Sequence, residues 1–224
     1  THLSTAGALD RVRRAKAAGL PVTCDVTPHH LALSDEWLAG ARRWAWDGDG
    51  DPWADGAAAI VTTPYASSVR VNPPLRSVEA AAACRAALVD GTADAIATDH
   101  APHAAVDKDV EFGLAANGIS GIETALGVVL AAVAAGLMPL GLAITALTAG
   151  PSRGLGAAWG DGPRPGLVEG APADLVVFDR SAGWTVEPDA LVSRGKNTPL
   201  AGRELRGVVL LTVAAGRLAY EAVD

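Results

Sequence analysis

The stretch AIATDHAPH, residues 95–103, is apolar for three positions and then presents Thr98, Asp99, His100 and His103, with a proline between the two histidines. Imidazole and carboxylate together suit proton transfer near neutral pH and metal ligation. A carboxylate closing a buried strand is desolvated unless a cation or hydrogen-bond donors compensate it. Asp99 therefore points to a metal ion or a hydrogen-bond network, although a helix N-cap or an ion pair would also account for it. His2, in THLST, and His103 could be metal ligands, substrate ligands or ordinary loop residues. In TPHH, an extended backbone would send His29 and His30 to opposite faces, one toward a site and the other into a structural role. VNPPLR puts Asn72 before two prolines, which hold it extended on a rigid loop. Its amide donates and accepts together, as recognition of a planar amide or imide ring requires, and a plain turn is the alternative. DGDGDP, residues 47–52, resembles a calcium loop only faintly: Pro52 replaces the required glycine, and Ala58 stands where a bidentate glutamate belongs.

These residues need elements to hold them. Ser4 or Thr5 can cap a helix whose apolar Leu9, Val12 and Ala15 recur at helical spacing before Gly19 stops it. LPVTCDV alternates as a strand, SVEAAAACRAALVDGT reads as a second helix and DAIATD as a second strand. Alternation of strand and helix predicts an α/β fold with a parallel sheet, whose functional residues lie at the strands' C-terminal ends. His29, the Asp99–His103 group and His2 all occupy such junctions, so three junctions should surround one mouth. After TAGPSRGLG, turn residues become dense, and GLVEGAPADLVVFD, GWTVEP and GVVLLTVAAGRLAYE read as short strands. The expected division is residues 1–157 and a β-rich unit at 158–224. The Trp-, Asp- and Gly-rich residues 40–59 read as a surface insertion.

Half of the 224 residues are apolar, enough for a sizeable core. Eighteen Lys and Arg against 25 Asp and Glu give net charge −7, which argues against nucleic-acid or acidic-membrane partners and for a small polar substrate. Cys24 and Cys84 lack C-x-x-C spacing and sit in apolar patterns, so buried free thiols in a cytoplasmic protein are expected. The apolar run TALGVVLAAVAAGLMPLGLAITAL is broken by Gly and Pro and reads as two buried helices, not a membrane span. The chain opens with neither Met nor a signal peptide, as if its first residue lay inside a larger protein.

In order, HLST, LPVTCDVTPHHLALSDE, VNPPLR, DGTADAIATDHAPH, NGISGIETAL, GLVEGAPADLVVFD and GKNTPLAGRELRG resemble the C-terminal half of dihydroorotases, cyclic amidohydrolases of the metal-dependent amidohydrolase superfamily. Nearly the whole chain is covered except the tryptophan-rich insertion, and VNPPLR with TDHAPH makes the pattern specific. Allantoinases and hydantoinases share the GxADLVxxD segment but resemble the chain less. The resemblance implies the last part of a (β/α)₈ TIM-type barrel followed by a small β-sandwich segment, with one or two Zn²⁺ ions in the complete site. His2 then matches a zinc ligand ending the sixth strand, and Asp99 the residue that closes the eighth, binds metal and moves the proton. Asn72 and His103 match substrate contacts. Asn117 and Gly118 match a backbone contact that relatives make with a Phe-Gly pair, so Asn117 departs from the pattern. Relatives also carry an H-x-H pair with an arginine, a bridging carboxylate or carboxylated lysine, and a further histidine. None of these is present, and the resemblance implies half a metal site in an N-terminally incomplete chain. The implied reaction is reversible cyclisation of N-carbamoyl-L-aspartate to dihydroorotate, in a homo-oligomer that could also bind aspartate transcarbamoylase. A non-catalytic dihydroorotase-like subunit binding that partner is the rival reading.

Overall fold

The computed structural model describes residues 1–48, 63–156 and 166–222. Helix α1 (Ala6–Ala17) starts where Thr5, in extended conformation, accepts the Ala8 amide on its side chain. Of the two candidate caps it is Thr5 that serves, a contribution of about 1 kcal/mol. Gly19, at φ 76°, then turns the chain away. Strands β1 (Asp25–Val26) and β2 (Ala95–Ile96) pair in parallel, with Asp25 opposite Ala95 and Val26 opposite Ile96. The regular pairing is shorter than the alternation of LPVTCDV predicts. At its start the Cys24 amide is met by the Asp94 carboxylate at 2.8 Å, where a ladder would supply a main-chain carbonyl.

Helix α3 (Val78–Val89) buries Cys84, Ala87 and Leu88 against these strands. The long apolar run forms two buried-faced helices, α5 (Ala125–Ala134) and α6 (Leu140–Leu147), separated at Gly136 and Pro139. Two shorter helices, α4 (Ala105–Lys108) and α7 (Ala149–Leu155), complete this part. Among the described residues no helix is long and apolar enough to cross a membrane. One core gathers Leu9, Val26, Cys84, Leu88, Ile96 and Val129. A second, around Trp37, Val69, Ile119, Val128, Val186 and Leu205, lies beneath the loops that carry the polar residues.

The C-terminal strands β3 (Leu175–Thr185), β4 (Glu204–Ala214) and β5 (Arg217–Glu221) form an antiparallel sheet in that order. GWTVEP is not a separate strand; its first residues continue β3. GVVLLTVAAGRLAYE is a hairpin, turned by Ala215 and Gly216, both at positive φ as a two-residue turn requires.

Two further expectations are corrected. TPHH is not extended: Thr27 caps the short helix α2 (Pro28–Ala32), and Pro28 at its first turn favours the helix there. Both imidazoles are consequently buried, their ring centroids 4.5 Å apart. The described part of the insertion is not a detached surface loop either. Ala41, Arg42 and Ala45 are buried, Trp44 stacks on Trp46 at 5.3 Å, and the Arg203 guanidinium covers Trp44 at 3.6 Å. The rest of that segment, with Trp53 and most of the calcium-like loop, lies outside the described residues, as does Ala157.

Candidate active site

The parallel pairing of β1 with β2 brings together residues far apart in sequence. The chain entering α1 runs beside β1, with the Leu3 amide donating to the Asp25 carbonyl at 2.9 Å. Asp25 Oδ1 accepts the His2 amide at 2.8 Å and is also 2.8 Å from His2 Nδ1. A carboxylate can only accept, so Nδ1 carries a hydrogen and Nε2 is the ring nitrogen left to face away from Asp25. That Nε2 lies 3.5 Å from Asp99 Oδ1. His2 and Asp99 both occupy the left-handed backbone region, at φ 55° and 48°. For non-glycine residues this costs about 1 kcal/mol or more each, a strain typically found where a side chain is aimed for function. All three side chains are partly open to solvent, at 24%, 14% and 25% for His2, Asp25 and Asp99.

Asp25 was not singled out by the sequence reading. The alternation of LPVTCDV puts it on a polar face; only once the strand is known to be parallel and covered on both faces does a carboxylate within it need a reason.

The remaining residues form a neighbouring cluster. Asn72 is exposed and lines a groove of about 300 Å³ with Arg70, Phe112 and Asn117. Its peptide bond to Pro73 is cis. Arg70 fixes the far wall, donating from Nε to Asn117 Oδ1 at 3.1 Å and from a terminal nitrogen to the Phe112 carbonyl at 2.6 Å. His103 Nε2 is 2.8 Å from the Asn117 carbonyl. Gly118, at φ 143°, leaves no room for a side chain: a Cβ there would stand 2.4 Å from that of Ala101 and 3.0 Å from His103 Nε2. The structure thus joins His2 with Asp99, and His103 with Asn117 and Gly118, while Asn72 shares its groove with Asn117. The two clusters are linked through the four-residue step from Asp99 to His103.

His30 is structural. Its Nδ1 bonds the Thr27 hydroxyl at 2.8 Å, its Nε2 donates to the Pro73 carbonyl at 3.0 Å, and burial lowers its pKa to about 4. His29 is buried, lies on a small cavity with Thr98 and Thr124, and has no partner for Nε2 among the described residues. Burial, then the neighbouring His30, holds it well below the usual imidazole range.

A metal ion can be weighed against these donors. His2 Nε2 and an Asp99 oxygen face one another with the ring locked by a carboxylate behind it, the arrangement that orients a histidine for metal. Among the described residues, however, no three His, Cys, Asp or Glu side chains converge on one point. The donors fit zinc in kind but supply two of the roughly three protein ligands a catalytic zinc uses.

No protein-family model matches the chain. Curated relatives do. It is 48% identical over 220 residues to a dihydroorotase of Anaeromyxobacter dehalogenans and 39% identical over 219 residues to one of Pelobacter propionicus. Each match covers 98% of this chain and 45% of the relative, so the chain spans about half the length of the curated relatives it matches. Among solved structures it is similar in fold to an L-hydantoinase (dihydropyrimidinase) from Arthrobacter aurescens, with TM-score 0.81 and 23% identity, over all of this chain and 44% of that one. A D-hydantoinase (dihydropyrimidinase) from Thermus sp. gives TM-score 0.77, also at 23% identity, over 98% of this chain and 44% of that one. The resemblance read from the motifs holds: over nearly its whole length the chain is similar to part of the dihydroorotases, and it shares the fold of the matched part of the hydantoinases.

Proposed function

We propose that this chain forms part of a dihydroorotase, opening and closing the dihydroorotate ring with zinc in the site, and that the architecture around it is the last part of a (β/α)₈ barrel. Residues 1–157 would then belong to the barrel and 158–224 to the β-rich unit. The observation that carries the reading is the approach of His2 Nε2 to Asp99 Oδ1 at 3.5 Å, with Asp25 fixing the ring behind it. The identity to named dihydroorotases supplies the substrate class.

Zinc held by His2 and Asp99, with ligands from outside the described residues, would polarise the scissile carbonyl and make water more acidic. Asp99 does the proton work. In ring opening it accepts a proton from the attacking water and passes it to the leaving amide nitrogen as the ring C–N bond breaks; in closure it takes the proton from the ureido nitrogen as that nitrogen attacks the carboxyl carbon and delivers it to the departing carboxyl oxygen, which leaves as water. Asn72 and His103 orient the ring and its carboxylate, and the Asn117–Gly118 main chain lines the pocket, a positioning contribution that grows as water is excluded. The buried free thiols fit a reducing, cytoplasmic setting. Assembly as a homo-oligomer, or with aspartate transcarbamoylase, belongs to the same proposal.

The test is Asp99→Asn in the full-length protein, followed by ultraviolet absorbance of dihydroorotate with zinc content measured in parallel. The expected loss of turnover is about 10²- to 10⁴-fold, the range for losing a general acid–base. Near-normal turnover would make the Asp99 turn structural and place the proton transfer on another group, whereas absence of turnover in the parent protein would favour a non-catalytic subunit. Faster opening of hydantoin than of dihydroorotate would move the assignment to the hydantoinases.

A further inference from the structure

The loop before β4 reaches back to the site through one side chain. Asn197 is buried, 9% exposed. Its Oδ1 accepts the His103 amide at 2.9 Å and lies 2.8 Å from Ser120 Oγ, whose single hydrogen is shared with the Gly195 carbonyl at 2.6 Å. Its Nδ2 donates to the Ala101 carbonyl and to the Gly118 carbonyl, both at 3.0 Å. A side-chain amide has two acceptor and two donor positions; both donors are used, and the oxygen takes the His103 amide with the Ser120 hydroxyl beside it. The His103 amide can only be met by an oxygen, which fixes which way the group faces. The Asn197 carbonyl also accepts the Ser120 amide at 3.0 Å. Two residues earlier, a Cβ on Gly195 would lie 2.6 Å from both the His103 nitrogen and Pro102 Cβ, so this loop lies directly on the Pro102–His103 backbone.

We infer that Asn197 is a positioning residue: by clamping the Ala101–His103 and Gly118–Ser120 backbones to each other, it presents His103 and the Asn117–Gly118 main chain as a preformed surface for the substrate. The inference rests on the function proposed above for those segments. Without the clamp, the His103 amide and the Ala101 carbonyl lose these partners. The Gly118 carbonyl keeps only the Lys108 ammonium, at 3.1 Å. His103 and Asn117 remain bonded to each other but are no longer held to the core. His2, Asp25 and Asp99 make no hydrogen bond to Asn197, so the chemical step should be nearly untouched.

The experiment uses the full-length protein with Asn197→Ala, and Gly195→Ala as a variant that pushes on the Pro102–His103 backbone while keeping every hydrogen-bonding side chain. Both should raise KM for dihydroorotate by about 10- to 100-fold while kcat falls about threefold or less, the signature of lost ground-state positioning. Amide hydrogen exchange is the second readout. In Asn197→Ala it should accelerate at His103 and Ser120 and stay as in the parent protein in β3, β4 and α5. An unchanged KM in both variants, or exchange accelerated equally throughout the protein, overturns the inference. If the parent protein does not turn over dihydroorotate, the functional reading fails, and the exchange pattern alone then decides whether Asn197 is the clamp.

Discussion

His2 has two ring nitrogens, and Asp25 decides what each can do. With Nδ1–H held at 2.8 Å by the carboxylate, Nε2 is the nitrogen turned toward Asp99 and the one that could meet a metal ion. Removing Asp25 frees the ring to rotate and to change tautomer, and it also takes the partner of the His2 amide, which sits in a strained left-handed conformation. Asp25→Ala should therefore lower zinc affinity or activity of the full-length protein by about 10- to 100-fold, as loss of such a supporting carboxylate typically does. Zinc retained after dialysis against a buffered zinc series measures this, and affinity within twofold of the parent would show that the ring is held by something else. The residues that bear the chemistry were legible because polar groups at the end of an apolar run are conspicuous. Asp25 and Asn197 were not. The first was hidden inside a strand alternation that assigned it to a polar face. The second acts through backbone partners 79 to 96 positions away, which no local pattern reports.

At the scale of elements, helices followed their caps and periodicity, while the strands near the site were harder to delimit. In a parallel pair this short, pairing depends on neighbours distant in sequence, and side chains such as Asp94 replace part of the ladder. The misreading of TPHH had a definite cause: the extended backbone was carried through His29 and His30, past the Thr27 cap. The correct element has a pH consequence. Its helix α2 buries two neutral imidazoles, His30 with a pKa of about 4 and His29 depressed in the same direction. In the unfolded chain each should titrate near about 6.5. Between those values the unfolded state binds protons that the native state refuses, so stability is full above about pH 6.5 and falls as pH drops toward 4. Urea midpoints at pH 7, 6, 5 and 4.5 should show this decline, and His30→Gln should flatten it. An equally steep decline in that variant would assign the acid sensitivity to other groups. The same packing shields the thiols. Cys24 donates to the Thr92 carbonyl at 3.3 Å, and burial lifts the Cys84 thiol to about 11. Both should label slowly in the native protein and rapidly in denaturant, whereas rapid native labelling would count against the core assignment.

The whole molecule shows a division of labour that its parts do not. The β1–β2 pair aims two metal-type donors, the loops from Asn72 to Gly118 shape a polar groove, and a residue just before the C-terminal sheet pins those loops. What the described residues do not contain is a third ligand beside His2 and Asp99. A catalytic zinc uses about three protein ligands, and the affinity of a chelate falls steeply with each one missing. The 224-residue chain expressed by itself should therefore fold around its two cores, bind zinc weakly and show no dihydroorotate turnover. A protein extended to the full length of the dihydroorotases it resembles, of which this chain spans 45%, should bind zinc tightly and be active. Equilibrium dialysis with a zinc indicator and the dihydroorotate absorbance assay, run side by side on the two proteins, make the comparison. Stoichiometric, tight zinc on the short chain that is abolished by Asp99→Asn would mean that it completes a metal site within its own sequence, and the half-site reading would have to be given up.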